Sequence, residues 1–362
     1  MRRRVLNRRF FFFILVVVLI GFFVFLSASL GLLGRDGARY GRIVPNQLIV
    51  LFVSIGGMLL AANFDYRRLR PYALPIFLIT LGVSLLVFVP GLGFMSGGAR
   101  RWISIGTRTF QPSELLKLGF IIYLAAWLTR SGHQLTSWRS GFLPFLLLVG
   151  VTGVTLVAEP DLSTFSILAV SATTMFFVAG GKWRQLLLIL VLGLAALTTI
   201  VSSKPYAQKR VLTFLNPQEN LLTSSYQLNQ SLIAIGSGGL FGRGLGRSIQ
   251  KFNYLPEPIG DSIFAVAAEE FGFIGGLLII LIFVIFVWWG LALAVRTADP
   301  FGQILLTGLV VLIATGAFVN IASMLGLLPL TGIPLVFISH GGSSLLFSLI
   351  GCGIILNISR RS

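Results

Sequence analysis

The chain is a succession of long apolar runs separated by short polar stretches. A helix crossing a bilayer needs about 20 mostly apolar residues. Ten runs meet or approach that length: 10–33, 45–62, 72–90, 112–128, 142–157, 162–179, 185–201, 262–295, 301–325 and 335–358. The fifth and sixth are short and split only by Glu159-Pro160-Asp161, so they read as two spans or one broken hairpin. The expected fold is all-α: a polytopic integral membrane protein with about ten transmembrane helices, one domain over 1–362, and one long extracytoplasmic loop, 202–261. Segments around 206–215 and 226–237 within that loop are amphipathic and are expected to lie as short helices along the interface.

Composition agrees. The chain is 56% hydrophobic and 11% charged, against about 25% charged residues in soluble domains. Its start, MRRRVLNRRFFFFILVVV, has the form of a signal peptide. It has no small-residue cleavage site and the apolar run continues to Leu33, so an uncleaved first span is expected. Ten spans place both termini on one side, and Arg2, Arg3, Arg4, Arg8, Arg9 and the 67–70 cluster make that side cytoplasmic. On this topology 15 of the 28 Lys and Arg lie inside and 13 outside. The outer cations gather in 91–111 and 202–261, either as charge that long loops tolerate or as a site for a polyanion. The net charge of +17 suits anionic membrane lipid better than nucleic acid. Cys352 is the single cysteine, which excludes an intrachain disulfide. No spacing suggests a haem, an iron–sulfur cluster or a zinc site.

Only 11 residues are Asp or Glu, and carboxylates in hydrocarbon usually face a polar cavity or a partner. The run KFNYLPEPIGDSIFAVAAEEFG (251–272) therefore carries the most information. It sets Asp261 at the mouth of the eighth span and Glu269 about 12 Å deeper, next to Glu270. Asp261 reads either as the cap of that helix or as a working carboxylate. Asp261, Ala265, Ala268 and Gly272 share one face, whose small residues leave room for a neighbour or ligand. Glu269 is expected to pair with Lys117 or an arginine. In GARRWISIGTRTFQPSELLK (98–117), Gly97-Gly98 marks a turn, Arg100, Arg101 and Arg108 are outer cations, and Trp102 is an interface anchor. Gln111, Glu114 and Lys117 line one side of the fourth helix, as a capped surface ion pair or as the wall of a polar cavity. Arginine and lysine suit a diphosphate through forked and point-charge contacts.

Three further clusters stand out. In AEPDLSTF, Asp161 reads as the N-cap of the sixth helix, with Glu159 beside it. RVLTFLNP and YQLNQSLIAIGSGGLFGRGLG bring Tyr226, Gln227, Gln230 and Ser231 on a short helix, then a glycine-rich lid broken by Arg243 and Arg247. No P-loop pattern is present there. In PLTGIPLVFISHGGSSL, Gly332 and Gly341-Gly342 interrupt the tenth span near its outer end, with Ser339, His340, Ser343 and Ser344 at shallow depth. A lone histidine such as His340 is commonly a hydrogen-bonded core residue.

These clusters, in this order, resemble the SEDS family (shape, elongation, division and sporulation), which includes FtsW, RodA and SpoVE. KFNYLPEP and AEEFGFIGG look more like the FtsW/SpoVE division branch. The resemblance implies a peptidoglycan glycosyltransferase that polymerises lipid II on the outer face of the bacterial cytoplasmic membrane. It also implies a class B penicillin-binding protein and other divisome proteins as partners. The family's essential acid matches Asp261, and its ARRWI and QPSELLK segments match Arg100, Arg101, Trp102, Gln111, Glu114 and Lys117. Departures from the family pattern are Ile259-Gly260 and Ser262 around the acid, His340 for a tyrosine, Val336 for a proline, Glu159 for a glutamine and Ser163 for a glycine.

The expected chemistry makes Asp261 a general base for a sugar hydroxyl. Arg101 and Lys117, with Arg243 or Arg247, receive the leaving diphosphate, and Glu114 orients Lys117. The remaining site residues are Tyr226, Gln227, Gln230, Glu269, Ser339, His340 and Ser343. A divalent cation, Mg2+ or Mn2+, could assist, although no dedicated ligand set is evident. The rival readings are a lipid II flippase and a non-catalytic scaffold for a penicillin-binding protein.

Overall fold

A backbone in hydrocarbon must satisfy its own N–H and C=O groups, so the apolar runs fold as helices. The computed structural model describes residues 7–33, 37–96, 99–106, 108–217 and 225–361. Arg2–Arg4, Asp36, Gly97, Gly98 and Glu219 lie outside the described residues, as does the side chain of Arg108. The first seven helices are α1 (Arg8–Leu33), α2 (Gly37–Asn63), α3 (Ala73–Leu85), α4 (Pro112–Ser131), α5 (Leu143–Ala158), α6 (Leu162–Val178) and α7 (Trp183–Ser203). Two short amphipathic helices follow, α8 (Pro205–Leu215) and α9 (Tyr226–Ser237), then α10 (Ile263–Arg296), α11 (Pro300–Met324) and α12 (Gly342–Ser359). Among the described residues seven helices are long and apolar enough to cross a membrane, and α3 with its one-turn extension and α6 are shorter apolar helices. The chain is thus a multi-pass membrane protein.

Side-chain contacts fix the direction of the chain. Phe10 packs on Phe286 and Trp289, low on α10, whereas Phe25 stacks on His340 at the opposite end of the bundle. Arg361 pairs with Asp65 at 2.5 Å, and Asn357 donates to the carbonyl of Ala62. Both described chain ends therefore lie at one end of the bundle, here called the foot. The loops 86–112 and 159–161, with α8, α9 and 325–341, gather at the head.

α11 is the spine and is buried along most of its length. Neighbours approach it and one another over small residues, as membrane helix packing requires. A β-carbon on Gly290 would stand 2.5 Å from Val310, one on Gly308 2.4 Å from Met175, and one on Gly353 2.3 Å from the Met58 carbonyl. α7 is the opposite case: Gln185 is its one buried residue among those described. It stands at the rim and leads directly into α8.

Two features depart from the hydropathy pattern. Residues 335–341 form turns rather than the start of the last span, and α12 begins at Gly342. Backbone and side-chain bonds pull this stretch onto the turn before α10: His340 N donates to the Ile259 carbonyl at 2.7 Å and Ser339 Oγ to the Gly260 carbonyl at 2.6 Å. The second feature is a break in α10 at Gly272, where φ is +69°. The amides of Arg243 and Gly244 fill the Glu269 and Glu270 carbonyls, both at 3.0 Å. The carbonyls of Gly239 and Leu240 accept from Phe273 and Ile274, at 2.8 and 3.2 Å. The glycine-rich loop thus replaces the missing rungs of the helical ladder. Such close approach needs glycine, since a β-carbon on Gly242 would lie 2.1 Å from the Glu270 carbonyl and Gly242 itself has φ +82°.

At the head, β1 (Gly93–Ser96), β2 (Ala99–Ile105) and β3 (Arg108–Phe110) form an antiparallel sheet in the order β1-β2-β3. Phe94 pairs with Trp102 and Met95 with Arg100, so Arg101 is a bulge residue without a partner on β1. A bulge of this kind re-aims the side chain it carries.

Candidate active site at the head of the bundle

Asp261 lies in the turn before α10. It is not the cap of that helix, because Ser262 holds the N-cap position and no side chain caps there. The turn is fixed through its backbone: Asn320 Nδ2 donates to the carbonyls of Asp261 and Ile333, at 2.8 and 2.7 Å. This leaves the carboxylate available, and its buried Oδ1 has no hydrogen-bond partner. Burial pushes the Asp261 pKa up to about 6; nearby Glu257 adds to the rise, while Gln227 and Arg210 oppose it.

Two cavities meet at this carboxylate, and both are lined by Arg101, Asp261 and Gly332. The first, about 370 Å3, runs beneath α8 and is also lined by Tyr206, Lys209, Arg210, Thr213 and Gln227. The second, about 460 Å3, opens under the sheet against Trp102, Gln111, Glu114, Asp161, Glu257, His340 and Ser343.

The first lobe is strongly cationic. Arg101, freed by its bulge, donates through Nε to the Glu159 carbonyl at 3.3 Å and through Nη2 to the Pro160 carbonyl. Arg210 reaches down from α8 and donates from Nη1 to the Thr331 carbonyl at 3.3 Å, with Ser163 Oγ at 3.5 Å. Its Nη2 and Asp261 Oδ2 lie 3.8 and 4.0 Å from where a β-carbon on Gly332 would stand, which places them within about 8 Å of each other. Burial, and then the like charge of Arg101, lower the Arg210 pKa. Three cations, Arg101, Lys209 and Arg210, share this lobe with one carboxylate, and an anion of two or more charges would relieve their repulsion.

The second lobe is built from hydrogen-bonding groups. Asp161 caps α6 by accepting from Thr164 N at 3.3 Å, and its Oδ2 accepts from Ser113 and Gln111. Gln111 N donates to Ser343 Oγ at 3.1 Å, tying α4 to α12. His340 Nδ1 lies 2.8 Å from Gln47 Oε1. On the floor, Lys117 Nζ pairs with Glu114 at 2.8 Å. An apolar crevice leads down from that pair, with room for about 20 Å3 between Ile167, Leu309 and Val336. Behind the lobe, buried Glu159 accepts from Ser84 Oγ at 2.5 Å and has its pKa raised by burial to about 7.

A profile of the FtsW/RodA/SpoVE cell cycle proteins matches residues 7–362. The chain belongs to the FtsW/RodA/SpoVE family. It is 41% identical over 316 residues to stage V sporulation protein E of Bacillus subtilis, covering 87% of this chain and 86% of that one. It is 39% identical over 318 residues to the "Probable peptidoglycan glycosyltransferase FtsW" of a Geobacter species, covering 88% and 87%. One chain from work on "structural coordination of polymerization and crosslinking by a peptidoglycan synthase complex" superposes with a TM-score of 0.81 at 26% identity, over 98% of both chains. RodA, the rod shape determining protein of Thermus thermophilus, superposes with a TM-score of 0.71 at 26% identity, over 98% of this chain and 97% of that one.

Within this FtsW/RodA/SpoVE fold, Asp261, Arg101, Trp102, Gln111, Glu114, Gln227, His340 and Ser343 come together around the two lobes, with Lys117 on the floor. Others do not. Arg100 is exposed on β2, and Tyr226 and Gln230 line neither lobe. Ser339 is buried, linking the Leu335 amide to the Gly260 carbonyl. Of the two expected partners, Glu269 pairs with an arginine, Arg243, and not with Lys117. It accepts from Ser248 Oγ at 2.5 Å and Ile249 N at 2.9 Å, and Arg243 Nε stands 3.7 Å away. Glu269 and Arg243 therefore serve to fold the glycine-rich loop. The space beside Ala268 holds Gly238 of that loop rather than a ligand. Sequence reasoning passed over Lys209 and Arg210, although a signal was present: Tyr206, Lys209, Arg210 and Thr213 fall at i, i+3, i+4 and i+7 of α8 and all line the first lobe.

Proposed function

We propose that this chain is a peptidoglycan glycosyltransferase, with the donor diphosphate in the lobe under α8 and the acceptor sugar in the lobe under the sheet. The observation that carries this reading is the position of Asp261: a carboxylate oxygen without a partner, at the junction of a three-cation cavity and a hydrogen-bonding one. The acceptor hydroxyl passes its proton to Asp261, and its oxygen attacks the anomeric carbon of the donor. The bond from that carbon to the diphosphate oxygen breaks, and the diphosphate leaves with the electron pair onto Arg101, Lys209 and Arg210. Attack from the face opposite the leaving group inverts the anomeric centre, and one base suffices. A pKa near 6 suits the task, since the group is largely ionised at neutral pH yet more basic than a free aspartate. Glu114 holds Lys117 on the floor of the acceptor lobe. Among the described residues no three His, Cys, Asp or Glu side chains converge on one point; the steps above describe what the chain's own groups do.

The lipid-linked donor is proposed to be lipid II, entering from the outer leaflet of the bacterial cytoplasmic membrane. The arginines at the foot, including Arg8, Arg9, Arg67, Arg68, Arg70, Arg360 and Arg361, support a cytoplasmic foot and an outward groove. The likeness to a peptidoglycan synthase complex supports a cross-linking class B penicillin-binding protein as partner. The relation to SpoVE and FtsW supports a septal role among divisome proteins. The narrow apolar crevice below Lys117 gives the flippase reading no support. The test is polymerisation of purified lipid II by Asp261→Asn protein of unchanged thermal stability. Loss of a base is expected to slow the reaction about 10²–10⁴-fold, and a wild-type rate would refute the assignment.

A further inference from the structure

A further hollow lies at the foot, far from the groove. The link between α2 and α3 is a rigid turn. Asp65 caps it by accepting from Arg67 N at 3.1 Å. Tyr66 is buried, with its amide on Asn357 Oδ1 and its hydroxyl donating to Asp299. This turn walls a hollow of about 580 Å3 between Phe64, Arg68, Leu69, Pro71, Tyr72 and Ile76. No acid lines it. The two carboxylates nearest in the chain and fold are engaged elsewhere, Asp65 by Arg361 and Asp299 by Tyr66 and the Gly302 amide. Arg68 is exposed, and Arg67 and Arg70 flank it on the same turn.

The surroundings choose the ligand. The hollow opens where α2 ends and α3 begins, just past the end of the apolar span Tyr40–Asn63. Phe64 and Tyr72 are exposed aromatics of the kind that sit at headgroup level. One turn before Phe64 on α2, exposed Leu60 offers apolar surface toward the bilayer for an acyl chain. One cation among aromatic and aliphatic walls, with a lipid-facing exit, suits a phosphodiester headgroup with its chains attached better than a free anion. We infer that the hollow bounded by Arg68, Phe64 and Tyr72 is a binding site for an anionic phospholipid on the foot side of the membrane. Arg68 holds the phosphate, with Arg67 and Arg70 adding field, while Tyr72 and Phe64 pack on the glycerol region.

The test uses full-length protein in nanodiscs that mix phosphatidylglycerol with phosphatidylcholine. The lipid retained per chain is counted by native mass spectrometry after release. Phosphatidylglycerol should be retained preferentially, and Arg68→Gln should weaken that preference about fivefold, the effect of one interfacial cation. The control is Arg296→Gln, which removes the same charge from another exposed position at the foot and should leave the preference unchanged. An equal loss in both variants would mean that the general positive field attracts the lipid, and would overturn the site. So would a full preference in Arg68→Gln. Inorganic phosphate alone should neither compete nor raise the melting temperature of the protein. If it does so as well as phosphatidylglycerol, the hollow reads a bare anion and the lipid assignment fails.

Discussion

Replacing Arg210 with glutamine separates two roles of one guanidinium. It removes a cation from the donor lobe, and it removes one of the groups that hold down the Asp261 pKa. The second effect can be sized. Two unit charges about 8 Å apart interact by about 0.5 kcal/mol in a water-like medium and about 2 kcal/mol at an effective dielectric of about 20. The cavity between Arg210 and Asp261 admits solvent, so at this greatest separation the value falls between those limits. At about 1.4 kcal/mol per pKa unit, Asp261 should rise from about 6 by roughly 0.4–1.5 units. A base works only when ionised, so activity appears as pH climbs through its pKa. The acid limb of log kcat/KM for glycan synthesis from purified lipid II should therefore move to higher pH in Arg210→Gln. Arg210→Lys keeps the charge and should hold the limb near its wild-type place while still weakening donor binding through loss of the forked contact. An acid limb that stays put in a well-folded Arg210→Gln protein, or moves to lower pH, would refute the coupling and with it the placing of the diphosphate beside Asp261.

Three further outcomes follow from the packing. Gly332→Ala puts a side chain on a residue at φ +69° and between Arg210 and Asp261. Polymerisation should fall while the melting temperature drops only by the equivalent of about 1–3 kcal/mol of backbone strain. Lys251→Met strands Glu270, which bonds Lys251 Nζ at 2.6 Å inside the bundle. Detergent-phase unfolding should show a loss of about 3–5 kcal/mol, partly restored by adding Glu270→Gln. Glu159 has its folded pKa raised to about 7, so the folded protein holds that proton more tightly than the unfolded chain. Stability from this group is present at low pH and declines as pH rises from about 4.5 to about 7. Glu159→Gln should match wild type in acid and melt higher than wild type above neutral pH; equal melting temperatures at both extremes would contradict the burial.

The spans were legible because hydrocarbon enforces one rule on every residue within it. The same rule made Asp261 visible, since a carboxylate at a span boundary needs a reason. The amphipathic faces of α8 and α9 were readable from spacing alone, and so was the cap at Asp161. Other features depended on contacts far apart in the chain. Glu269 sits eight residues from Asp261, yet its partners arrive from residues 243–250, and local spacing cannot announce them. The late start of α12 comes from bonds between residues 339–340 and 259–260, which outweigh an apolar composition that favours helix. The sheet escaped because short strands rich in Arg, Ser, Thr and Gly carry little alternation, and the bulge that frees Arg101 is a matter of register. Arg210 was passed over although it lies on the amphipathic face of α8, and its reach to Asp261 depends on α8 folding back over Thr331 and Gly332.

The break at Gly272 bears on how the protein is made. Emerging alone into lipid, α10 would carry two unpaired amides, two unpaired carbonyls and two glutamates. The segment that satisfies them precedes it in the chain, so it has already left the ribosome when α10 reaches the membrane. Crowding substitutions at Gly238 or Gly242 should therefore surface first as failed insertion of α10, detectable by accessibility labelling of Arg296 replaced with cysteine, before any rate is measured.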